Sequence, residues 1–230
     1  MMWKYHNPVN IIFTEYFIEE LIKLIDSKQK ILLICSKRFT TTNEFELIQS
    51  NISGLNIYTE IENDPSFDSC NKAIEFAGAL KPETIIAIGG GSVIDTAKAV
   101  RLSLMTDSSN IQYMLENKSN CKKNIKFLAI PTTHGTASEL TMWATIWDKK
   151  EKKKYSLSHE KNYPDYTIYD YHFVKDLPLD ISLITTLDAL SHSFEALWNK
   201  NANPISDDYA IKAITSILKN IGRLTNKTDI

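Results

Sequence analysis

Thr84-Ile85-Ile86-Ala87-Ile88-Gly89-Gly90-Gly91-Ser92-Val93-Ile94-Asp95-Thr96-Ala97-Lys98 joins a short apolar run to a row of glycines and then to a segment with helical spacing. An apolar run of this length without polar alternation fits a strand buried on both faces of a parallel sheet. Glycines directly after it let the backbone approach a ligand with no Cβ in the way. Val93, Ala97 and Val100 continue as the buried face of a helix. The first amides of that helix, at the positive end of its dipole, and the Ser92 hydroxyl make an anion site whose natural occupant is a pyrophosphate. Asp95 sits in the first turn, where its charge suits the dipole but would repel a phosphate set against it. It is therefore expected to point past the phosphates, toward a neutral amide or hydroxyl. The turn is not G-x-G-x-x-G and contains no P-loop Gly-Lys-Ser/Thr. A glycine row also serves as a strand-to-helix turn with no ligand, and this residue pattern alone leaves both readings open.

Outward from this turn, Lys30-Ile31-Leu32-Leu33-Ile34-Cys35 and Lys126-Phe127-Leu128-Ala129-Ile130 repeat the buried-strand texture. Helical patterns lie between them: Phe17, Leu21, Leu24 and Ile25, then Cys70, Ile74 and Ala77 within residues 66–80. Alternation of strand and helix predicts an α/β fold built on a doubly wound, mostly parallel sheet. Ala144-Thr145-Ile146-Trp147-Asp148 and Lys154-Tyr155-Ser156-Leu157-Ser158 flank a charged tip and predict a β-hairpin. After Pro178 the pattern is helical, with Leu183, Leu187, Leu190, Phe194 and Leu197 as an apolar stripe. A second helix is expected near Asn203-Pro204, with Ser206 as its cap and Asp207 in its first turn. The expected division is a dinucleotide-binding α/β domain over residues 1–178 and the beginning of an all-helical domain over 179–230.

Bulk properties narrow the partners. The formal charge of −2 provides no field to draw in nucleic acid or an anionic membrane, so a small molecule is the expected partner. The opening lacks the charged-then-apolar pattern of a signal peptide and no apolar run reaches the length of a membrane span, so a cytoplasmic location is expected. Cys35, Cys70 and Cys121 are far apart with no metal-ligand spacing, which reads as reduced structural thiols.

Two further segments carry chemistry. Pro131-Thr132-Thr133-His134-Gly135-Thr136-Ala137-Ser138-Glu139-Leu140-Thr141 follows a buried strand directly and offers many hydroxyls at the carboxyl edge of the sheet, where open α/β sheets bind ligands. A capped helix start is equally compatible with those residues. Asp188 and His192 stand four apart with Glu195 three further on, so they share one helix face and a carboxylate and an imidazole can reach one divalent cation. Two such groups also make an ordinary surface ion pair.

Taken together and in this order, the three segments resemble the iron-containing (group III) alcohol dehydrogenases. Residues 89–98 match that family's Gly-Gly-Gly-Ser-x-x-Asp-x-x-Lys, 131–141 its Pro-Thr-Thr-x-Gly-Thr-x-Ser-Glu-x-Thr, and 188–196 its Asp-Ala-x-x-His-x-x-Glu-Ala. The resemblance runs from about Tyr5 to the last residue and implies a dehydroquinate synthase-like two-domain plan. It implies that Gly90, Gly91, Ser92 and Asp95 contact a dinucleotide, that Thr132, Thr133 and Thr136 line the same cleft, and that Thr145 and Lys154 reach the cofactor from the hairpin. Asp188 and His192 fall on two of four metal ligands, for iron first and zinc as the alternative. The other two are histidines further along in the family, with no counterpart before Ile230. With an incomplete metal site, this chain alone is expected to be inactive, whether it is a fragment or a natural truncation.

Departures from the family pattern carry their own expectations. An acidic residue often ends the first of the family's strands and holds the adenosine ribose; here Ser36 stands there, followed by Lys37 and Arg38. Loss of the carboxylate and gain of two cations favour NADP(H), with NAD(H) still compatible. Ala137 replaces a common glycine, and Asp64-Pro65 stands where Asn-Pro is usual. Within the family, residues 3–9 and 195–204 look most like phosphonoacetaldehyde reductases, which form 2-hydroxyethylphosphonate. The resemblance further implies hydride transfer to an aldehyde and a homo-oligomer at full length, with the proton donor unassigned. A glycerol dehydrogenase or dehydroquinate synthase relative shares the two-domain plan, and a truncated nucleotide-binding protein without catalysis is the second rival.

Overall fold

The computed structural model describes residues 2–117, 120–175 and 177–225. The chain forms two compact units, both discontinuous in sequence: Pro8–Thr132 with Ser138–Tyr171, and Met1–Asn7 with Thr133–Ala137 and His172–Ile230. The N-terminal residues and the loop 133–137 group with the helical residues that follow Tyr171.

The α/β unit runs β1 (Asn10–Thr14), α1 (Phe17–Leu24), β2 (Ile31–Cys35), α2 (Asn43–Asn51), β3 (Leu55–Tyr58), α3 (Phe67–Leu80), β4 (Thr84–Gly89), α4 (Gly91–Thr106), α5 (Ile111–Glu116) and β5 (Lys126–Pro131), then β6 (Trp143–Asp148), β7 (Lys153–Ser158) and β8 (Tyr166–Asp170). Six strands form one sheet in the order β1-β8-β5-β4-β2-β3, every neighbouring pair parallel, while β6 and β7 form the separate antiparallel hairpin. The three runs read from sequence are the central strands β2, β4 and β5. β1, β3 and β8 complete the sheet.

Alternation along the strands splits the core between two faces. Leu32, Ile34, Ile85, Ala87, Phe127 and Ala129 pack in one cluster with α3, α4, α5 and the inward hairpin residues Ala144, Ile146 and Leu157. Ile31, Leu33, Ile86, Ile88, Leu128 and Ile130, equally buried, occupy the alternate positions. Helix α3 begins with a reciprocal cap, Ser66 Oγ accepting from Ser69 N–H while Ser69 Oγ accepts from Ser66 N–H. Helix α4 departs from the one-sided burial expected of it, since every residue from Val93 to Thr106 is buried. A helix enclosed all round must satisfy its polar side chains internally.

The helical unit contains α6 (His172–Lys175), α7 (Leu179–Leu197) and α8 (Pro204–Thr225). The expected leucine stripe of α7 is not its buried line: Ser182, Thr186 and Ser193 are buried and Leu187 is 52% exposed. The small residues are required because the loop backbone comes close. A Cβ on Gly135 would lie 2.5 Å from Thr185 O and 2.9 Å from its Cα. Asn203, rather than Ser206, caps α8, its Oδ1 accepting from Ile205 and Ser206 N–H; Ser206 Oγ returns the bond by accepting from Asn203 N–H. Asn at the cap and Ser three residues on make the reciprocal arrangement that the sequence reading placed one turn too late. No helix among the described residues is long and apolar enough to cross a membrane.

Gly89 is needed for space rather than for a left-handed backbone, because Gly54 is the one glycine with positive φ among the described residues. A Cβ on Gly89 would lie 2.4 Å from Val93 Cγ2 and 2.7 Å from Val93 Cβ, so β4 and the first turn of α4 meet only if position 89 is bare. Gly89→Ala is expected to cost about 1–3 kcal/mol in urea unfolding, the range for overpacking a filled site. The double variant Gly89→Ala/Val93→Ala should recover part of that loss.

Candidate nucleotide-binding site and metal pair

Strand order fixes where this fold binds ligands. From β2 the chain leaves toward β3, from β4 it leaves toward β5 on the other side, and β2 and β4 are neighbours. Their carboxyl ends therefore flank a topological switch point, the place where open parallel sheets take a ligand. The register aligns Cys35 with Ile88 and Ile88 with Ile130, so the residues that follow, Ser36, Gly89 and Pro131, leave the sheet in one row.

At this edge Gly90 is the N-cap of α4, in extended conformation at φ −77°, ψ −173°. Gly90 O accepts from Val93 and Ile94 N–H, while the amides of Gly91 and Ser92 precede the first residues with an intrahelical acceptor. Ser92 Oγ accepts from Asp64 N–H at 3.3 Å, which leaves its hydroxyl hydrogen available as a donor. Thr132 N–H bonds Gly89 O, tying the end of β5 to the turn. Ser36 Oγ accepts from Phe39 N–H at 3.2 Å and so starts the turn after β2. Lys37 lines a groove of about 750 Å³ shared with Tyr58, Glu60 and Glu62, so its charge there faces two carboxylates.

Asp95 is turned inward. Its Oδ1 accepts from Ser138 Oγ at 2.5 Å and its Oδ2 from Thr145 N–H at 2.9 Å, so both oxygens are engaged by the hydroxyl and amide of the protein itself. Lys98, one turn on and fully buried, donates to Ser138 Oγ at 3.0 Å, Thr141 Oγ1 at 3.0 Å and Trp143 O at 2.6 Å. Burial raises the Asp95 carboxyl above its ordinary range, opposed by Lys98, Ser138 and the Thr145 amide. Burial lowers the Lys98 ammonium to about 8, opposed by Asp95 and Glu139. Glu139, 6% exposed, accepts from Tyr169 OH at 2.7 Å.

Thr145 and Lys154 share the outer face of the hairpin, since Thr145 pairs with Ser156 and Trp147 with Lys154 while Ala144 and Ile146 turn into the core. The Lys154 charge also acts on Asp95. Gly90, Gly91, Ser92, Asp95, Thr132, Thr145, Lys154 and Ser36 thus all belong to the α/β unit, whereas Thr133 and Thr136 belong to the helical unit. In that unit His134 Nε2 lies 3.1 Å from Thr186 Oγ1 and 3.3 Å from Thr185 Oγ1. Both hydroxyls donate to helix carbonyls, which makes the His134 ring the donor.

Asp188 Oδ1 and His192 Nε2 are 3.6 Å apart and exposed. Glu195 Oε1 instead accepts from Ser191 Oγ. No group of three or more metal-ligating side chains occurs among the described residues, so the donor set falls short of the three protein ligands of a catalytic centre. Cys35 and Cys70 are buried free thiols, each pushed up to about 12 by burial, in keeping with structural roles.

Lys98, Ser138, Glu139 and Thr141 were not singled out as site residues from the sequence. The available signal was a lysine at helical spacing from Asp95.

The chain thus carries a parallel α/β unit with a glycine turn at its switch point. The family description "Iron-containing alcohol dehydrogenase" matches residues 8–171, and "Fe-containing alcohol dehydrogenase family, C-terminal" matches residues 182–230. The chain belongs to the iron-containing alcohol dehydrogenase family. It is 32% identical over 183 residues to an aldehyde-alcohol dehydrogenase of Streptococcus pneumoniae, covering 75% of this chain and 21% of the relative. It is 30% identical over 222 residues to an NADPH-dependent butanol dehydrogenase of Clostridium saccharobutylicum, covering 94% and 57%. Sulfoacetaldehyde reductase from Bifidobacterium kashiwanohense, solved in complex with NAD+, superposes with a TM-score of 0.86 at 27% identity, covering 95% of this chain and 59% of that one. The chain therefore spans between about a fifth and three fifths of the length of these relatives.

Two substitutions test the local physics. Ala137 has φ +51° where the family commonly has glycine, and an L-residue in the left-handed region costs about 1–2 kcal/mol. Ala137→Gly is expected to stabilise the chain, by about 1 kcal/mol after the added backbone entropy of glycine is subtracted, read by urea midpoint. Burial raises the Glu139 carboxyl above 4.5, so the unfolded chain ionises first. Its contribution to stability is full below that value and is lost as pH rises through the folded value. Glu139→Gln, which still accepts from Tyr169, should melt higher than the parent at pH 7.5, with the gap closing toward pH 4.

Proposed function

We propose that this chain is the nucleotide-binding part of a metal-dependent, NAD(P)H-linked alcohol dehydrogenase acting as an aldehyde reductase. The observation that carries the reading is the glycine turn at the switch point, where the first amides of α4 and the Ser92 hydroxyl offer donors to a pyrophosphate. Gly90 and Gly91 give the phosphates close backbone approach, Thr132 and Ser36 flank them, and Thr145 and Lys154 approach from the hairpin. Bound NAD(P)H supplies the hydride, and the residues named here hold and orient it. Thr133 and Thr136 are assigned to the same cofactor through the family pattern. Asp95 acts from within, by fixing Ser138 and the Thr145 amide.

Lys37 and Arg38 after β2 favour the 2′-phosphate of NADP(H), as does the NADPH dependence of the butanol dehydrogenase relative; the NAD+ in the sulfoacetaldehyde reductase keeps NAD(H) open. A small aldehyde with an anionic end is the proposed substrate, with phosphonoacetaldehyde the first choice. Sulfoacetaldehyde, named for the structural relative, pairs the same reactive group with a different anion. Asp188 and His192 are proposed as two ligands of an iron or zinc ion, and no step is assigned to a metal on two donors alone. A homo-oligomer in the cytoplasm completes the reading. The incomplete donor set favours one alternative, nucleotide binding without catalysis.

Calorimetric titration of NADPH and NADH into the purified chain tests the assignment. Binding is expected for both, tighter for NADPH, with Ser92→Ala weakening both about tenfold, the loss of one hydrogen bond to a charged group. Lys37→Ala/Arg38→Ala should weaken NADPH selectively. No binding of either cofactor overturns the reading. NAD(P)H oxidation with phosphonoacetaldehyde, sulfoacetaldehyde and butyraldehyde, with and without added Fe2+, separates the reductase from the non-catalytic binder.

A further inference from the structure

We propose that Lys98 is a positioning residue that pins the β6–β7 hairpin to the helix carrying the phosphate turn, and so sets the two walls of the nucleotide site against each other. The proposal rests on the nucleotide reading above for its functional half and on geometry for the rest. Lys98 is fully buried, so its ammonium must find all its partners within the protein. It finds three, and an ammonium has three N–H donors. Trp143 O is the first residue of β6, Thr141 Oγ1 lies two residues before it, and Ser138 Oγ closes the loop that leads there.

The acceptors are committed in turn. Ser138 donates its own hydrogen to Asp95 Oδ1, so its remaining lone pairs face Lys98. Asp95 Oδ2 then takes the Thr145 amide, which fixes the hairpin at a second point two residues beyond Trp143. Asp95 and Lys98 are three apart in α4 and project from one face of it. The helix whose first turn offers the phosphate donors thus holds residues 138–145 through a carboxylate, a hydroxyl and an ammonium. Thr145 and Lys154 ride on the outer face of the element so held. A solvated salt bridge would give loose attachment, whereas five hydrogen bonds anchored on the buried Asp95, Lys98 and Ser138 give one geometry.

Amide hydrogen exchange on the full chain, without and with NADPH, tests this. In Lys98→Met the amides of residues 143–147 are expected to exchange about tenfold faster while those of β4 and β5 keep the parent rates. The NADPH dissociation constant should rise about tenfold, and Lys98→Arg, which keeps charge and donors, should recover most of it. Thr141→Val removes one acceptor at nearly constant volume; it should loosen the same amides about threefold and decides the matter if Lys98→Met does not fold. Hairpin exchange at the parent rate in a folded variant overturns the tether. Faster exchange with unchanged NADPH affinity overturns the positioning role. If the parent chain binds no cofactor, the nucleotide reading fails while the exchange rates still decide the tether.

Discussion

The enclosure of α4 governs the architecture. A helix buried from Val93 to Thr106 cannot send Lys98 or Arg101 to water, and an unpaired charge in the interior costs several kcal/mol. Each is therefore surrounded by acceptors drawn from distant parts of the chain. Arg101 bonds Ile125 O, Lys161 O, Tyr163 O and Asp165 Oδ2, which closes the end of the unit where β5 and β8 begin. Lys98 closes the opposite end, where the hairpin begins. The two cations are three apart in sequence, so one helix face sets the placement of strands and hairpin at both ends of the sheet. Polar burial that looks expensive locally is what makes the arrangement single-valued.

At its N-terminus the same helix meets β4 through the bare Cα of Gly89. The absence of a Cβ at position 89 admits Val93, and the first helical amides follow directly at the sheet edge. Ser92 then takes the Asp64 amide, and Asp64 itself is held at φ +54°. Asn accepts a left-handed backbone more readily than most residues, which supplies a physical reason for the Asn-Pro usual in the family. The aspartate here adds a negative charge beside the glycine turn.

The fold was legible where burial was two-sided. Continuous apolar runs at 30–35, 84–88 and 126–130 announced β2, β4 and β5, and the alternating pattern after Thr141 announced the hairpin. Strand β1 has no fully buried position and β8 has buried positions without alternation, over five residues each, so periodicity had little to work on. The glycine turn between β4 and α4 could be placed because its residues are consecutive in sequence. The network around Lys98 could not, because it joins positions 95, 98, 138, 141, 143 and 145, and a sequence shows only that a lysine and an aspartate share a helix face. The α7 stripe misled for a related reason. Leucines at helical spacing mark an apolar face without saying what covers it, and the close approach of Gly135 gave the buried line to Ser182 and Thr186 instead.

That reversal bears on the metal pair. Two helices packed together can each bury one stripe against the other, and α7 also spends a line of small residues on the loop 133–137. Ile184 and Leu187 are left 63% and 52% exposed, on the same side as Asp188, Ser191, His192 and Glu195. On α8, Ile211 and Leu218 are similarly uncovered. Apolar side chains and an Asp–His pair thus share one open face of α7. A cation held there by Asp188 and His192 alone would keep most of its water, and the 3.6 Å gap between the two groups is closed as readily by a protonated imidazole as by a metal.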